Sequence, residues 1–197
     1  MVADAAAAGG RCDEIAFVDD RFPGLERAAE WSVVGRFDAL SRLRTRFDTF
    51  VSAVGDSRLR LELIERARAH GFTVPPLVHP ASSVSPYARL DEGVVVFAGA
   101  VVNIGARVAA GVIINSGATV DHDCQLAEGV HVCPGAHLAG DVIVGARTWF
   151  GIGAVAKQGI RIGADVTVGA GAVCLRDVPD GVTVIGIPAR QKRGEDQ

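Results

Sequence analysis

The sequence lacks the features that mark a membrane-spanning, secreted or nucleic-acid-binding protein. Its longest apolar run, Val94 to Val102, is far shorter than the roughly 20 residues that a transmembrane helix needs. No charged segment followed by an apolar stretch resembles a signal peptide. The formal net charge is only −3, with acidic and basic residues interspersed, so we predict no binding to nucleic acid or to an anionic membrane.

Cysteine is scarce, and its spacing excludes the common metal and redox motifs. The four cysteines are Cys12, Cys124, Cys133 and Cys174, and no two of them form a CxxC pair. Three lie within the repeats described next, where small thiols suit a packed interior. The sequence therefore predicts reduced, structural cysteines and a cytoplasmic protein.

What the chain does contain is a strict repeat of six residues. From Val78 to Cys174 an apolar residue returns at every sixth position, and 15 of these 17 positions are Val, Ile, Leu or Phe. Four residues after each of them comes a second residue that is small or β-branched. Neither the helical period of 3.6 nor the strand period of 2 produces such a pattern, so it indicates an internal repeat.

A six-residue period predicts a coil of short strands joined by tight corners, with one apolar side chain per strand in a shared interior. The glycines of the repeats suit corners that need positive φ or have no room for Cβ. A flatter β-solenoid is the alternative. The pattern resembles the hexapeptide-repeat left-handed β-helix, and that resemblance implies a triangular prism with three hexapeptides per coil, about 4.8 Å apart.

The first 77 residues have a different character and predict a small α/β unit with a parallel sheet. The pattern gives a helix, three strands and a second, amphipathic helix that is followed by Gly71. These elements are Val2 to Ala8, Ile15 to Val18, Trp31 to Gly35, Phe47 to Gly55 and Arg58 to His70. The unit starts with a helix, whereas a parallel sheet normally starts with a strand.

Several short motifs together resemble the NeuD/PglD family of sugar acyltransferases along nearly the whole chain. They are Phe17-Val18-Asp19-Asp20, Val54-Gly55-Asp56 with Arg60, Val78-His79-Pro80-Ala81, Val120-Asp121-His122-Asp123-Cys124, His137-Leu138-Ala139-Gly140 and Ile185-Gly186-Ile187-Pro188-Ala189-Arg190. The resemblance implies a Rossmann-like domain at 1–77 that binds a sugar nucleotide, a left-handed β-helix acyltransferase domain at 78–175 and a C-terminal segment at 176–197. It also implies acetyl-CoA as co-substrate, no metal, and a homotrimer with active sites between subunits.

The resemblance also makes the start of the chain unusual. Family members begin with a strand and a Gly-Gly-His type loop that helps to hold the sugar nucleotide, whereas this chain starts within the helix that follows. We therefore expect the first strand to be missing from the Rossmann-like unit. A misassigned start codon and a real loss of part of the nucleotide-sugar site remain open.

One histidine has the surroundings of a general base. His122 lies between Asp121 and Asp123, and a carboxylate beside an imidazole can fix its tautomer and keep it basic near neutral pH. The resemblance aligns the family's His-acid pair with His122 and Asp123, while Asp121 stays an alternative partner. Residues 18 apart stack on neighbouring coils, so Gly140 should offer its N–H to an oxyanion near His122, unless it is only a corner glycine.

The remaining predicted site residues come from the resemblance. It places His131 near the acyl donor or the substrate, against simple surface exposure, and it gives Asp19 and Asp20 contacts to the nucleotide sugar, against a solvated turn. Coenzyme A is expected along the late coils, beside backbone amides. The expected coenzyme contacts are Gly151, Gly153, Gly169 and Gly171, with Lys157 and Arg161 near its phosphates.

The sequence thus predicts acetyl transfer from acetyl-CoA to an amine or hydroxyl of a sugar, with a nucleotide-linked 4-amino sugar for surface glycans favoured. One alternative is O-acetylation of sialic acid. Another is a β-helix that binds or regulates without catalysis. The weakest alternative is a γ-type carbonic anhydrase with zinc on His122, His131 and His137, whose spacing does not stack them on one edge.

Overall fold

The computed structural model describes residues 1–10 and 12–192, and its first element is the predicted helix. Helix α1 spans Val2–Gly9 and ends at Gly10, whose φ of 61° is left-handed and whose N–H caps the carbonyl of Ala7. Glycine suits this position because it has no Cβ to clash in that conformation. The alanine-rich helix with a glycine stop is therefore confirmed.

The sheet of the N-terminal unit is mixed rather than parallel. It consists of β1 (Phe17–Val18), β2 (Arg27–Ala28) and β3 (Trp31–Gly35), in the order β1-β3-β2. β1 runs parallel to β3, but β2 runs antiparallel to it. The turn between β2 and β3 is only two residues long and includes Ala29 at a φ of 52°, so it reverses the chain directly.

The predicted strand from Phe47 to Gly55 is wrong. Only Thr49 forms a bridge, to Thr73, although Phe50 does pack edge-on against the ring of Phe72. Among the described residues, positions 51 to 54 donate no backbone hydrogen bond to another strand, and the Ser52 hydroxyl is buried without a partner. The apolar pattern correctly marked buried residues, but a strand also needs a neighbouring strand to pair with.

Two short helical turns and a longer helix complete the N-terminal unit. A 3-10 turn at Phe37–Ala39 leads into α2 (Leu40–Leu43), and α3 spans Ser57–Ala69. The Asp56 carboxylate caps α3 by accepting a 2.8 Å hydrogen bond from the N–H of Leu59. The predicted amphipathic helix is therefore confirmed with its start shifted by one residue.

The six-residue repeat forms 17 strands of two residues each, and every strand ends at the predicted apolar position. They are β4 (Leu77–Val78), β5 (Ser83–Val84), β6 (Arg89–Leu90), β7 (Val95–Val96), β8 (Val101–Val102), β9 (Arg107–Val108), β10 (Ile113–Ile114), β11 (Thr119–Val120), β12 (Gln125–Leu126), β13 (His131–Val132), β14 (His137–Leu138), β15 (Ile143–Val144), β16 (Trp149–Phe150), β17 (Val155–Ala156), β18 (Arg161–Ile162), β19 (Thr167–Val168) and β20 (Val173–Cys174).

These strands form three parallel sheets, because each strand pairs with the strand 18 residues away. Ile113, for example, is in register with both Val95 and His131. Sheet I contains β4, β7, β10, β13, β16 and β19; sheet II contains β5, β8, β11, β14, β17 and β20; sheet III contains β6, β9, β12, β15 and β18. Three hexapeptides therefore make one coil of a prism, which confirms the predicted β-helix.

The interior of the prism is filled by the two predicted residue series. The second residue of each strand and the small residue four positions later both point inward and are buried from Val94 to Cys174. Phe150 is the largest apolar side chain that is completely buried there. Close packing of small side chains against one larger side chain per strand fills each coil.

The C-terminal segment continues sheet I. Strand β21 (Thr183–Ile185) pairs in parallel with β19, and β22 (Arg190–Gln191) folds back antiparallel on β21. Residues 193–197 of the predicted C-terminal segment lie outside the described residues. The predicted boundary at residue 77 falls within β4, whose pairing with β7 belongs to the β-helix.

The described residues contain no helix long and apolar enough to cross a bilayer; the longest helix, α3, has 13 residues and carries several charges. All four cysteines are free. Burial raises the pKa of the thiols of Cys124, Cys133 and Cys174 to about 11, so these thiols stay protonated and unreactive.

A buried arginine fastens the N-terminal unit to the β-helix. Arg60 of α3 has no solvent-exposed surface and bonds to the carbonyl oxygens of Gly111 and Gly129, at 2.6 and 2.8 Å, on two successive coils. It also bonds to the carbonyls of Val54 and Gly55, at 3.0 and 2.7 Å. Burial lowers the pKa of the guanidinium to about 10, so it remains charged at neutral pH.

Replacing Arg60 by Met should destabilise the protein by about 3 kcal/mol or more. The change leaves several buried carbonyls without a donor, and each unsatisfied group costs about 1–3 kcal/mol. Denaturant unfolding measures the loss, and Arg42→Met, an exposed arginine of α2, serves as the control with an expected effect of about 0.5 kcal/mol or less. Equal stability of the two variants would contradict the role of Arg60.

Candidate active site

The predicted general base lies on an exposed corner of the prism. The corners linking sheet II to sheet III form one edge, here called edge II–III, and His122 lies on it directly after β11. Its Nδ1 is 3.0 Å from Oδ2 of Asp123. An ionised carboxylate can only accept, so Nδ1 carries the proton and Nε2 is left free as a base.

Asp123, rather than Asp121, is the carboxylate that contacts the ring. Oδ1 of Asp121 accepts the backbone N–H of His122 and the side-chain amide of Asn103, both at 2.8 Å. These two bonds lower the pKa of the Asp121 carboxyl. Asp121 therefore fixes the backbone of the corner, and of the two alternatives that the sequence left open only Asp123 contacts the imidazole; its role in catalysis stays a prediction.

Three carboxylates surround His122 and favour its protonated form. The hydrogen bond that Nδ1 donates to Asp123 is the largest cause that raises the pKa of His122; desolvation opposes it, and the charges of Asp121, Asp123 and Asp141 each raise the pKa further. A histidine with a raised pKa is a stronger base than free imidazole. Such an imidazole is suited to accepting a proton near neutral pH.

Gly140 lies on the next coil beside the His122 ring, as the 18-residue spacing predicted. Asp141 donates its backbone N–H to the carbonyl of His122 at 2.9 Å, which holds the two corners together. A Cβ on Gly140 would overlap the imidazole, so only glycine lets the ring lie there. Among the described residues no acceptor binds the N–H of Gly140, so this donor is free on the residue whose Cα faces the His122 ring.

His131 lies elsewhere, on the outer face of sheet I. It is only 7% exposed and packs against Trp149, with ring centroids 4.3 Å apart and the ring planes tilted by 57°. Nε2 is 3.3 Å from the amide of Asn115, and Nδ1 is buried with no hydrogen-bond partner in the part of the chain that the structure describes. Burial, followed by the charge of Arg60, lowers the pKa of His131 to about 4, so it is neutral and can meet a ligand only by hydrogen bonding or stacking.

The glycines of the late coils meet different structural requirements: some have no room for a Cβ, and others have a left-handed backbone in open space. A Cβ on Gly151 would overlap the backbone of the coil above, and one on Gly169 would press on Ile185. Gly153, by contrast, faces open space and has a φ of 64°. Lys157 is exposed on edge II–III, two coils from Asp121. Their roles toward coenzyme A remain predictions.

The predicted nucleotide contacts lie at the carboxyl end of β1. Asp19 is held by Arg21, whose side chain donates to both carboxylate oxygens at 2.9 and 2.8 Å. These bonds lower the pKa of Asp19 to about 2, so it stays ionised. Asp20 accepts the backbone N–H of Phe37 at 3.2 Å. Both carboxylates are ordered acceptors, and their role toward a nucleotide remains a prediction.

Sequence reasoning missed the residues that support the His122–Asp123 pair from neighbouring coils. Asn103 and Gly105 lie one coil below Asp121 and Asp123, and Asp141 lies one coil above Asp123. The 18-residue spacing that identified Gly140 would have identified them as well. The three histidines once considered for zinc lie apart, with His122 on an edge and His131 and His137 on two different sheets.

Known proteins resemble this chain over most of its length. The PglD N-terminal domain family matches residues 1–67. The acetyltransferase domain of PglB from Neisseria gonorrhoeae FA1090, solved with acetyl coenzyme A, is 44% identical, with 97% of this chain and 92% of that chain covered and a TM-score of 0.94. Among the curated proteins, none matches the chain significantly.

Two further solved structures are similar. PerB from Caulobacter crescentus, in complex with CoA and GDP-perosamine, is 42% identical, covering 98% of this chain and 91% of that chain with a TM-score of 0.92. WeeI from Acinetobacter baumannii AYE is 27% identical, covering 90% and 85% with a TM-score of 0.82.

Taken with the prism and the His-acid pair, these similarities define a hexapeptide-repeat acyltransferase. The chain belongs to the NeuD/PglD family of sugar acyltransferases, as its motifs predicted.

The pH dependence of acetyl transfer should report the Asp123 contact. The base acts when neutral, so the rate should fall as the pH drops through the raised pKa of His122. Asp123→Asn removes the main cause of the shift, so the acidic limb of the pH profile should move to lower pH and the maximal rate should fall. Asp141→Asn removes only the smallest of the effects that raise this pKa and should move the limb less. An unmoved limb in Asp123→Asn would contradict the assignment.

Proposed function

We propose that this protein transfers the acetyl group of acetyl-CoA to the amine of a nucleotide-linked 4-amino sugar. The observation that carries the proposal is the carboxylate-supported imidazole of His122 beside Gly140 on the next coil, with Nε2 of His122 and the N–H of Gly140 both free of partners among the described residues. The relatives support the choice of substrates, since one was solved with acetyl coenzyme A and another with CoA and GDP-perosamine.

The reaction needs no covalent intermediate on the protein. The sugar amine attacks the thioester carbonyl while Nε2 of His122 takes a proton from it, and Asp123 stabilises the imidazolium that forms. The N–H of Gly140 donates to the oxyanion of the tetrahedral intermediate. The C–S bond then breaks, and the leaving thiolate of CoA receives the proton from His122.

An amine acceptor also fits the charge around the base. Asp121, Asp123 and Asp141 give this corner a negative potential, which favours the approach of an ammonium group over a neutral hydroxyl. An amine that arrives protonated must first lose one proton to solvent, so that His122 is still neutral when it takes the second proton during the attack. These carboxylates are our reason to favour N-acetylation over O-acetylation.

We further propose that the protein is a homotrimer that uses sheet II as its subunit interface. Sheet I is partly covered by the N-terminal unit, and the outer face of sheet III carries Arg89, Arg107 and Arg161. Sheet II instead presents a half-buried row of mostly β-branched residues, Val101, Thr119, Val155 and Val173, interrupted by His137. Exposed Ile104 and Ile152 flank it on its two edges, so a neighbouring prism would cover both.

The trimer would place His122 in a groove between two prisms, because edge II–III borders the proposed interface. Coenzyme A would lie in that groove along the late coils, between Lys157 on edge II–III of one prism and Gly151, Gly153 and Gly169 on the edge between sheets I and II of its neighbour, with His131 on the adjoining face of sheet I. The N-terminal unit would hold the nucleotide through Asp19 and Asp20. A reaction that consumes acetyl-CoA, in a chain whose cysteines are free, supports a cytoplasmic location.

The first test of the function is the release of free CoA from acetyl-CoA with a panel of UDP- and GDP-linked 4-amino sugars and free sialic acid. We expect turnover with a 4-amino nucleotide sugar. His122→Ala should lower kcat by about 10²-fold or more, the usual contribution of a general base. His70→Ala, at the exposed end of α3, is the control and should keep full activity.

The same panel separates the alternatives. Turnover only with sialic acid would replace our acceptor with a hydroxyl substrate. No release with any acceptor, while acetyl-CoA still binds, would favour a binding or regulatory protein. A His122→Ala enzyme as active as the wild type would remove the proposed mechanism.

The proposed interface predicts a change of oligomeric state. Val155→Arg puts a charge within the half-buried row of the sheet II face and should convert trimers to monomers in analytical ultracentrifugation, because burying an unpaired charge is costly. Gln125→Arg adds the same side chain to exposed sheet III and should leave the trimer intact. A trimeric Val155→Arg variant would show that another face forms the interface.

A further inference from the structure

The carboxylate that supports the base rests on the coil below it. Asp123 lies one coil above Gly105 on edge II–III, and its N–H donates to the carbonyl of Ile104 at 3.0 Å. Both residues are left-handed, with φ of 60° for Asp123 and 75° for Gly105. The two corners therefore follow the same backbone path, one directly above the other.

The Asp123 carboxylate fills the space that a side chain at position 105 would need. A Cβ on Gly105 would overlap Oδ1 of Asp123 and stand 3.2 Å from its Cγ and 3.4 Å from its backbone N. The left-handed glycines of the edge between sheets I and II differ in this respect. Gly117, with a φ of 64°, and Gly135, with a φ of 63°, have nothing within 4 Å of an added Cβ.

Gly117 and Gly135 are explained by backbone conformation alone, but Gly105 meets a second requirement. The Asp123 side chain is 66% exposed, so little else restrains it. The only side-chain hydrogen bond that its carboxylate makes among the described residues is to His122. Its place is therefore set by its left-handed backbone, by that bond and by the open space over Gly105.

We propose that Gly105 is a positioning residue for acetyl transfer: the absence of a side chain there lets the Asp123 carboxylate lie over the lower coil while it holds the imidazole of His122. The inference rests on the proposed function of the His122–Asp123 pair. Gly140 completes the arrangement from above, where its missing side chain makes room for the imidazole. Two glycines, on the coils below and above, thus make room for the pair.

Neither of the other carboxylates near His122 can replace Asp123 if it is displaced. Asp121 is engaged by Asn103 and by the backbone N–H of His122. The carboxylate of Asp141 acts on the His122 ring only through its charge and accepts no hydrogen bond from it. An added methyl at position 105 would turn the flexible, exposed end of Asp123 toward solvent and leave Nδ1 of His122 without its acceptor, while the packed interior stays unchanged.

The test compares Gly105→Ala with Gly117→Ala, which imposes the same left-handed alanine where the space is open. Two readouts are needed: kcat for acetyl transfer, and the pKa of the His122 ring in the substrate-free enzyme from an NMR titration assigned with His122→Ala. Gly105→Ala should lower kcat by about tenfold or more, a part of the 10²–10⁴-fold that a general base contributes. It should also lower the pKa of His122, whereas Gly117→Ala should change neither.

A double-mutant cycle separates positioning from general damage to the corner. If Gly105 acts through Asp123, the double variant Gly105→Ala/Asp123→Ala should be no slower than Asp123→Ala alone. Independent, additive losses would overturn the inference, and so would a wild-type pKa of His122 in Gly105→Ala. If Asp123→Ala itself keeps wild-type turnover, the proposed function of the pair fails, while the titration of Gly105→Ala still decides whether Gly105 positions the carboxylate.

Discussion

The structure depends on one constraint, the hydrogen-bonded register that places every residue of the β-helix above the residue 18 positions earlier. Because each short strand pairs only with the coils above and below, two residues per strand suffice for a continuous sheet. The same register brings together side chains that are distant in sequence, so that His122 meets Gly140 and Asp121 meets Asn103. The strand pairing that forms the β-helix therefore also brings the residues of the candidate site together.

Arg60 extends this constraint to the N-terminal unit. Its guanidinium binds carbonyls on two successive coils and on the loop before α3, so the unit is oriented by the backbone of the β-helix itself. Ion pairs from Arg58 to Asp165 and from Arg68 to Glu92 act beside it on the surface, where such pairs contribute less. Whatever the N-terminal unit binds is therefore held at a fixed distance from His122.

The sequence predicted the parts of the fold that follow from periodicity and missed those that follow from pairing. The six-residue period predicted all 17 repeat strands, and the 18-residue spacing between coils predicted that Gly140 lies beside His122. The strand proposed at Phe47 to Gly55 failed because apolar residues mark burial, whereas strand formation needs a partner. The burial of Arg60 could not be predicted from the sequence either. Its acceptors at Gly111 and Gly129 are 51 and 69 residues away in the chain. In addition, a charged residue in an amphipathic helix is typical of the solvent-exposed face. The partners of His122, by contrast, were within reach of the same counting.

The left-handed corner positions have a consequence for redesign. They run along the prism in three vertical rows, and most are glycine, but four carry other residues: Asp123, Asp141, Arg147 and Asp165. Two of these are at the candidate active-site corner around His122, and two form the ion pair that Arg58 joins. Aspartate tolerates this conformation better than most residues. Positions such as Gly117 and Gly135, where an added Cβ meets no atom within 4 Å, could therefore accept an aspartate. Because such positions recur on successive coils, the coil that carries the new polar group can be chosen. The left-handed corners thus give the prism regularly spaced positions at which polar side chains can be introduced by substitution.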